Sequence, residues 1–302
     1  MDLAMIGLGK MGLNMATRLV RGGHRVVGYA PSRASVELAI RAGAEGADSL
    51  DGAVRGLTSP RVVWLMVPAG RITTETIGQL ARVLDAGDVV IDGGNTNYKA
   101  SIQHAALLES KGIEFIDSGT SGGIWGLESG YCLMLGGKTG VIEKLRAIFE
   151  TLAPARDLGW DHVGPHGAGH FVKMIHNGIE YGMMQALAEG FSIMRAKPEF
   201  RLDVARIAEI WRHGSVVRSW LLDLTARALQ DDAELKAIEP WVEDSGEGRW
   251  TVEEAIALGI PAPVITLALQ TRFASRDEHN YTARLLAAMR SQFGGHAVRA
   301  SE

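Results

Sequence analysis

Three glycines near the start of the chain limit its fold more than any other feature. Gly7-Leu8-Gly9-Lys10-Met11-Gly12 follows a short apolar run over residues 3–6 and opens a helical pattern over 13–21, which Gly22-Gly23 stops; residues 25–29 then read as a second strand. By itself a glycine triplet at this spacing is weak. Between a strand and a helix, in a unit of about 30 residues, it has a physical purpose. The first glycine permits a tight turn, the second lets backbone approach a pyrophosphate, and the third lets the helix pack on the strand. Free N–H groups at the helix start then face the anion. Gly7, Leu8, Gly9, Met11 and Gly12 are therefore candidate dinucleotide contacts.

Strand and helix patterns keep alternating after this unit. Residues 62–67, 89–92, 114–117 and 131–135 read as buried strands, and 138–152 as a helix. Such alternation predicts an α/β, Rossmann-like domain with a mostly parallel sheet covered on both faces. Ligands of such sheets bind beyond the carboxyl ends of the strands. There the chain places Val67-Pro68, Asn95 in Gly93-Gly94-Asn95-Thr96, and Ser121-Gly122-Gly123; Val67 and Asn95 join the cofactor candidates. From Pro165 onward only amphipathic helical patterns remain, over 204–213, 216–229, 252–258, 264–272 and 281–289. The expected division is a dinucleotide-binding domain over 1–164 and an all-α domain over 165–302 for substrate binding and dimerisation.

The end of the second strand bears on cofactor choice. An acidic residue there holds an adenosine ribose hydroxyl, and an arginine accommodates a 2′-phosphate. Tyr29-Ala30-Pro31-Ser32-Arg33 contains no carboxylate, whereas Ser32 and Arg33 offer phosphate contacts, so NADP is favoured, with NAD as the alternative.

Composition excludes several functions. In 302 residues, 46% are hydrophobic and 22% charged, the balance of an ordinary globular protein. A net charge of -4 with no long basic run argues against nucleic acid or an anionic membrane surface as partner. No uncharged run approaches the roughly 18 residues of a membrane span, and no signal-peptide pattern is seen, so a cytoplasmic location is expected. Cys132, the single cysteine, lies in an apolar run and is expected to pack as a small hydrophobe. His166 and His170 are separated by glycine with no evident third ligand, so no metal site is expected.

The longest helical pattern spans 169–196 and stops before Pro198. Lys173, His176, Asn177, Glu180 and Tyr181 fall at i, i+3, i+4, i+7 and i+8 and so share one face. The other faces are apolar, which predicts a buried helix whose polar stripe looks into a cavity. A lysine in a partly desolvated pocket can act as a base on an alcohol while hydride leaves to a nicotinamide. Asn177 and His176 can hold hydroxyl and carboxylate oxygens, and Glu180, one turn on, can serve a second proton transfer. Lys173 and Glu180 lie seven residues apart, two turns or about 10.5 Å of rise, and two acid/base groups on one helix face point to oxidation coupled to another step.

Gly7-Leu-Gly-Lys-Met-Gly-Leu-Asn14, Asp92-Gly-Gly-Asn95, Ser121-Gly-Gly123 and the segment 169–181 resemble 6-phosphogluconate dehydrogenase, decarboxylating, of the β-hydroxyacid dehydrogenase superfamily. Gly246-Glu-Gly-Arg-Trp-Thr251, Arg272 and Arg290-Ser-Gln-Phe-Gly-Gly-His296 extend the likeness over essentially the full chain, whose length matches the short bacterial branch. The resemblance implies that Lys173 is the base on the 3-hydroxyl of 6-phosphogluconate and that Glu180 protonates C1 of the enediol, giving ribulose 5-phosphate. It implies that Asn95, Ser121, Gly122, Gly123, His176 and Asn177 hold the sugar acid, and that Tyr181 and Arg272 bind its phosphate. Arg290 and His296 would complete the site of a neighbouring subunit in a homodimer or dimer of dimers, and no metal is required. Two departures stand out. Ser245 replaces a phosphate-binding lysine of longer forms, with Arg249 as the candidate to compensate, and the cofactor loop lacks the Asn-Arg-Thr of NADP-specific long forms. A 3-hydroxyisobutyrate-type dehydrogenase without decarboxylation is the rival reading.

Overall fold

The computed structural model describes residues 1–294. The chain divides into two compact units, Met1–His176 and Asn177–Glu302. Among the described residues of the first unit, eight strands form one sheet. They are β1 (Asp2–Ile6), β2 (Arg25–Tyr29), β3 (Glu45–Gly46), β4 (Val62–Leu65), β5 (Val89–Asp92), β6 (Glu114–Ser121), β7 (Cys132–Gly137) and β8 (Trp160–Gly164). Their order is β3-β2-β1-β4-β5-β6-β7-β8. Every neighbouring pair is parallel except β6 with β7. Successive strands step outward in opposite directions from β1 and β4, so the carboxyl ends of those two strands flank a crevice suited to a ligand.

The central strands are apolar because both of their faces are covered. Along β1, Leu3 and Met5 join one buried cluster with Met15, Leu19, Trp64 and Phe149, while Ala4 and Ile6 join another with Ile77, Leu80 and Phe115. This is the period of two expected of a strand between two helical layers. The expected helix over 138–152 is interrupted at Leu145 and forms two pieces, Thr139–Lys144 and Arg146–Leu152. Strand β6 runs four residues past its expected end, to Ser121, because β7 pairs with it antiparallel as far as Ser121 opposite Cys132. Cys132 is exposed there rather than packed in the core, because it is the first residue of β7 and lies opposite Ser121 at the half-buried end of β6. Partial desolvation pushes its thiol pKa up, against the opposing pull of the Lys173 charge.

One helix, Ala168–Arg195, passes from the first unit into the second. The helices Val204–Arg212, Trp220–Asp231, Glu247–Leu258, Pro263–Ala274 and Tyr281–Gly294 follow. The helix expected from residue 216 starts instead at Trp220, since the Ser219 hydroxyl accepts from the Leu222 N–H and caps that end. Phe191, Val204, Ala208, Leu222, Ala226 and Leu229 make one buried cluster of this unit, and Tyr181, Ala268 and Leu269 another. The long helix is not buried all round within one chain: Ile179, Met183, Met184 and Ile193 are exposed. A hydrophobic pattern reports that a face will be covered, not which chain covers it.

Candidate functional site

The first and third glycines of the turn show the steric constraint expected of them. Gly7 has φ +97°, and a Cβ there would lie 2.4 Å from the Met66 carbonyl oxygen and 3.1 Å from Val67 Cγ1. A Cβ on Gly12 would lie 2.0 Å from the Gly7 carbonyl oxygen, so this glycine permits helix–strand contact. A Cβ on Gly9 would meet nothing within 4 Å, so packing does not explain its glycine. What does fit is an anion close to the backbone. The helix Lys10–Arg21 begins at Gly9 with no side-chain cap and no acidic residue in its first turn, which leaves its amide end suited to a phosphate.

Beyond β5, the buried Asp92 carboxylate accepts from the Gly94 N–H at 3.0 Å and from Thr96 Oγ1 at 2.8 Å. It thereby holds the turn that presents Asn95. At β2, Ser32 caps the following helix by accepting from the Ser35 N–H. Arg33 Nη1 pairs with Asp48 Oδ1 at 2.5 Å, and its Nε lies 3.6 Å from Glu37 Oε1. Asp48 thus brings a carboxylate to the end of β2 from the turn after β3, a residue the local sequence of β2 does not contain.

Ser121, Lys173 and His176 are brought together in the first unit. Ser121 Oγ lies 3.4 Å from His176 Nε2, and Lys173 Nζ lies 3.4 Å from His176 Nδ1. The His176 ring thus presents one nitrogen to Lys173 and the other to Ser121. Gly122 has φ +132°, and a Cβ there would sit 3.2 Å from the ring of Tyr131. Tyr131 is fully buried beneath this turn, and desolvation raises its phenol pKa to about 12.

The second unit gathers the other residues of the stripe. Asn177 Nδ2 donates to Glu247 Oε1 at 2.8 Å, and Glu247 is 2% exposed. Sequence reasoning missed Glu247, although it sits inside Gly246-Glu-Gly-Arg-Trp-Thr251. That motif docks one helix on another: a Cβ on Gly248 would strike the Tyr181 ring at 2.5 Å, and one on Gly178 would strike Thr251 at 2.7 Å. The Arg272 guanidinium lies 3.6 Å from the centroid of the Tyr181 ring, a cation–π contact. Ser245 Oγ is 3.3 Å from the Tyr181 hydroxyl. Arg249 is turned to Asp244 and lies over Phe273, 4.5 Å from its centroid. Glu180 is half-buried and Arg290 is exposed; His296 lies outside the described residues.

The glycine turn, the parallel sheet and the lysine-bearing helix define the class of nicotinamide-dependent dehydrogenases. The family model described as the NAD binding domain of 6-phosphogluconate dehydrogenase matches residues 2–163, and that of the 6-phosphogluconate dehydrogenase C-terminal domain matches residues 169–292. The chain belongs to the 6-phosphogluconate dehydrogenase family. It is 40% identical over 299 residues to the NAD(+)-dependent, decarboxylating 6-phosphogluconate dehydrogenase of Haloferax volcanii, covering 99% of this chain and 98% of that protein. The Plasmodium falciparum 6-phosphogluconate dehydrogenase, solved in its apo form and with NADP+ and 6-phosphogluconate, aligns with a TM-score of 0.84 at 29% identity, covering 100% of this chain and 67% of that one. A Mycobacterium tuberculosis 3-hydroxyisobutyrate dehydrogenase shares the fold, with a TM-score of 0.74 at 22% identity over 92% of this chain and 94% of that one.

Proposed function

We propose that this protein oxidises and decarboxylates 6-phosphogluconate to ribulose 5-phosphate and carbon dioxide, with NAD or NADP as the electron acceptor. The observation that carries the reading is the group of Lys173, His176 and Ser121, spaced at 3.4 Å and 3.4 Å beside the Ser121-Gly122-Gly123 turn. Gly7, Leu8, Gly9, Met11, Gly12, Val67 and Asn95 would hold the dinucleotide, with Ser32 and Arg33 near its adenosine ribose. When bound, the nicotinamide ring accepts a hydride from C3.

Lys173 removes the proton of the 3-hydroxyl, and His176 keeps the lysine nitrogen in place. The product 3-keto acid loses carbon dioxide because its carbonyl takes up the electron pair of the breaking bond. Glu180 then delivers a proton to C1 of the enediol. Asn95, Ser121, Gly122, Gly123, His176 and Asn177 orient the sugar acid. The amide nitrogen of Asn177 donates to the buried Glu247, which fixes the orientation of this side chain. Tyr181 and Arg272 bind the phosphate, where a guanidinium supplies strong, directional donors.

The engagement of Arg33 by Asp48 and Glu37 supports NAD, since a 2′-phosphate would compete with two carboxylates. The same reading includes two domains over 1–164 and 165–302, a cytoplasmic location, and a homodimer or dimer of dimers. In that assembly Arg290 and His296 act in the site of a neighbour. Exposed Ile179, Met183, Met184 and Ile193 support assembly, and among the described residues no helix is long and apolar enough to cross a membrane.

A kinetic matrix of both cofactors against 6-phosphogluconate, gluconate and 3-hydroxyisobutyrate, with carbon dioxide detection, tests the function. The expected result is one carbon dioxide per reduced nucleotide with 6-phosphogluconate. Preferential oxidation of 3-hydroxyisobutyrate without gas release would overturn it.

A further inference from the structure

Strand β6 meets the long helix along a seam that alternates on the strand. Asp117, Gly119 and Ser121 occupy every second position of β6, so all three share one face. Asp117 is fully buried, and its two carboxylate oxygens accept from the backbone N–H groups of Gly167 at 2.7 Å and of His170 at 2.9 Å. A Cβ on Gly119 would lie 2.5 Å from both the Gly169 carbonyl oxygen and Lys173 Cβ. Ser121 Oγ reaches His176 Nε2 at 3.4 Å. The strand face therefore touches the helix at its first turn, at Lys173 and at His176, in the same order along both elements.

The first N–H groups of a helix have no partner within it. Capping usually comes from a side chain at the residue before the helix, but Gly167 stands there with φ +90° and has no side chain. Asp117, fifty residues away in the chain, supplies the missing acceptors, and its negative charge meets the positive end of the helix dipole. Once the first turn is pinned, Lys173 and His176 follow rigidly at about 1.5 Å of rise per residue. Gly119 and Gly169 permit the close approach that such pinning requires. A Cβ on Gly169 would lie 2.4 Å from the carbonyl oxygens of Asp117 and Met134.

We propose that Asp117 is the positioning residue for Lys173 and His176, holding the helix that carries them in register with Ser121-Gly122-Gly123. The proposal rests on Lys173 being the base, as stated above. Asp117→Asn keeps the shape and one acceptor oxygen but sets an amide N–H against a backbone N–H. Misplacing a catalytic group by about 1 Å costs about 100-fold. The expected result for Asp117→Asn is thus a kcat lower by about 100-fold, with a single cooperative melt and an NADH dissociation constant, from fluorescence titration, within about twofold of the parent. Amide hydrogen exchange over residues 167–172 should also quicken.

A purely structural carboxylate would lower Tm and leave kcat per folded molecule within about threefold, and that outcome overturns the proposal. Gly119→Ala pries the same seam while leaving the carboxylate in place, and carries the test if Asp117→Asn does not fold. A kcat for Gly119→Ala within about threefold of the parent likewise overturns it. Lys173→Met is measured alongside. If it is inactive while Asp117→Asn is unimpaired, positioning alone fails. If Lys173→Met keeps the parental kcat, the base assignment fails and the proposal falls with it.

Discussion

The two units secure their functional side chains in different ways. In the first, the groups around Lys173 are fixed by buried backbone contacts: a carboxylate on helix amides at Asp117, and helix against strand at Gly119 and Gly169. In the second, Tyr181 and Arg272 meet through their side chains, a guanidinium over a ring, and the arginine also donates to the Glu243 carbonyl at 2.8 Å. The first unit carries a sheet closed on both faces by apolar layers. The second leaves Ile179, Ile193, Val216, Ile256 and Val264 exposed. The difference teaches that Lys173 and His176 sit where strand and helix backbones meet, whereas Tyr181 and Arg272 meet through long side chains, on a unit with much exposed apolar surface.

The strongest attempt to break this contrast is Lys173→Met. A general base contributes about 10²–10⁴-fold. The expected kcat loss is of that order, with NADH affinity unchanged by fluorescence titration; a loss of both would mean that the lysine serves the nucleotide site instead. Next is Trp64→Ala, which removes a fully buried indole from the first unit. Its expected cost is about 3–5 kcal/mol, read by chemical denaturation. Ile193→Ser, in the second unit, should leave the denaturation midpoint of dilute protein nearly unaltered and shift sedimentation toward a smaller species.

Arg272→Met should then raise KM for 6-phosphogluconate by about 10–100-fold, as expected for losing a charged hydrogen-bonding partner of about 1.5–3 kcal/mol. Turnover of unphosphorylated gluconate should change much less. Equal losses on both substrates would place Arg272 away from the phosphate.

The smallest expected effect concerns acid. His24 and His104 are buried in the first unit, and both pKa values are lowered, mainly because burial disfavours the imidazolium; at His104 the charge of Asp92 opposes this. The unfolded chain therefore takes up protons first, and stability falls as pH drops below about 6.5. In the second unit, burial alone would raise the Asp244 pKa. The Arg249 guanidinium and the Gly246 N–H outweigh it, and the net direction is down. Stability from that carboxylate is intact above about pH 4 and is lost as pH falls through its folded value. The first unit should thus soften at milder acidity than the second, and His104→Gln should lessen the fall in Tm between pH 7 and pH 5.5, read by thermal melts at both.

Much of the nucleotide-binding half was legible in local sequence. The glycine spacing, the apolar runs of β1, β4 and β5, and the turn at Asn95 all report short-range constraints, namely steric freedom at φ above zero and burial on both strand faces. The polar stripe of the long helix was equally legible, because i, i+3, i+4 spacing is a property of one helix. What local sequence could not carry were pairings across long separations. Asp117 with Gly167, Asp48 with Arg33, and Glu247 with Asn177 join residues that share no pattern. Cys132 misled for the same reason, since its apolar neighbours gave no sign that β6 would pair as far as Ser121 and turn the thiol outward.

By itself, then, the sequence determined that a dinucleotide-binding sheet would precede a helical region and that a lysine, a histidine, an asparagine, a glutamate and a tyrosine would share one helix face. Those facts depend on backbone periodicity, which every residue reports about its near neighbours. Only the tertiary structure decided which strand that helix rests on and what pins its first turn. It also decided that the Asp48 carboxylate beside Arg33 comes from the turn after β3. Such contacts depend on how separate elements pack, where one buried hydrogen bond or one missing Cβ decides the register.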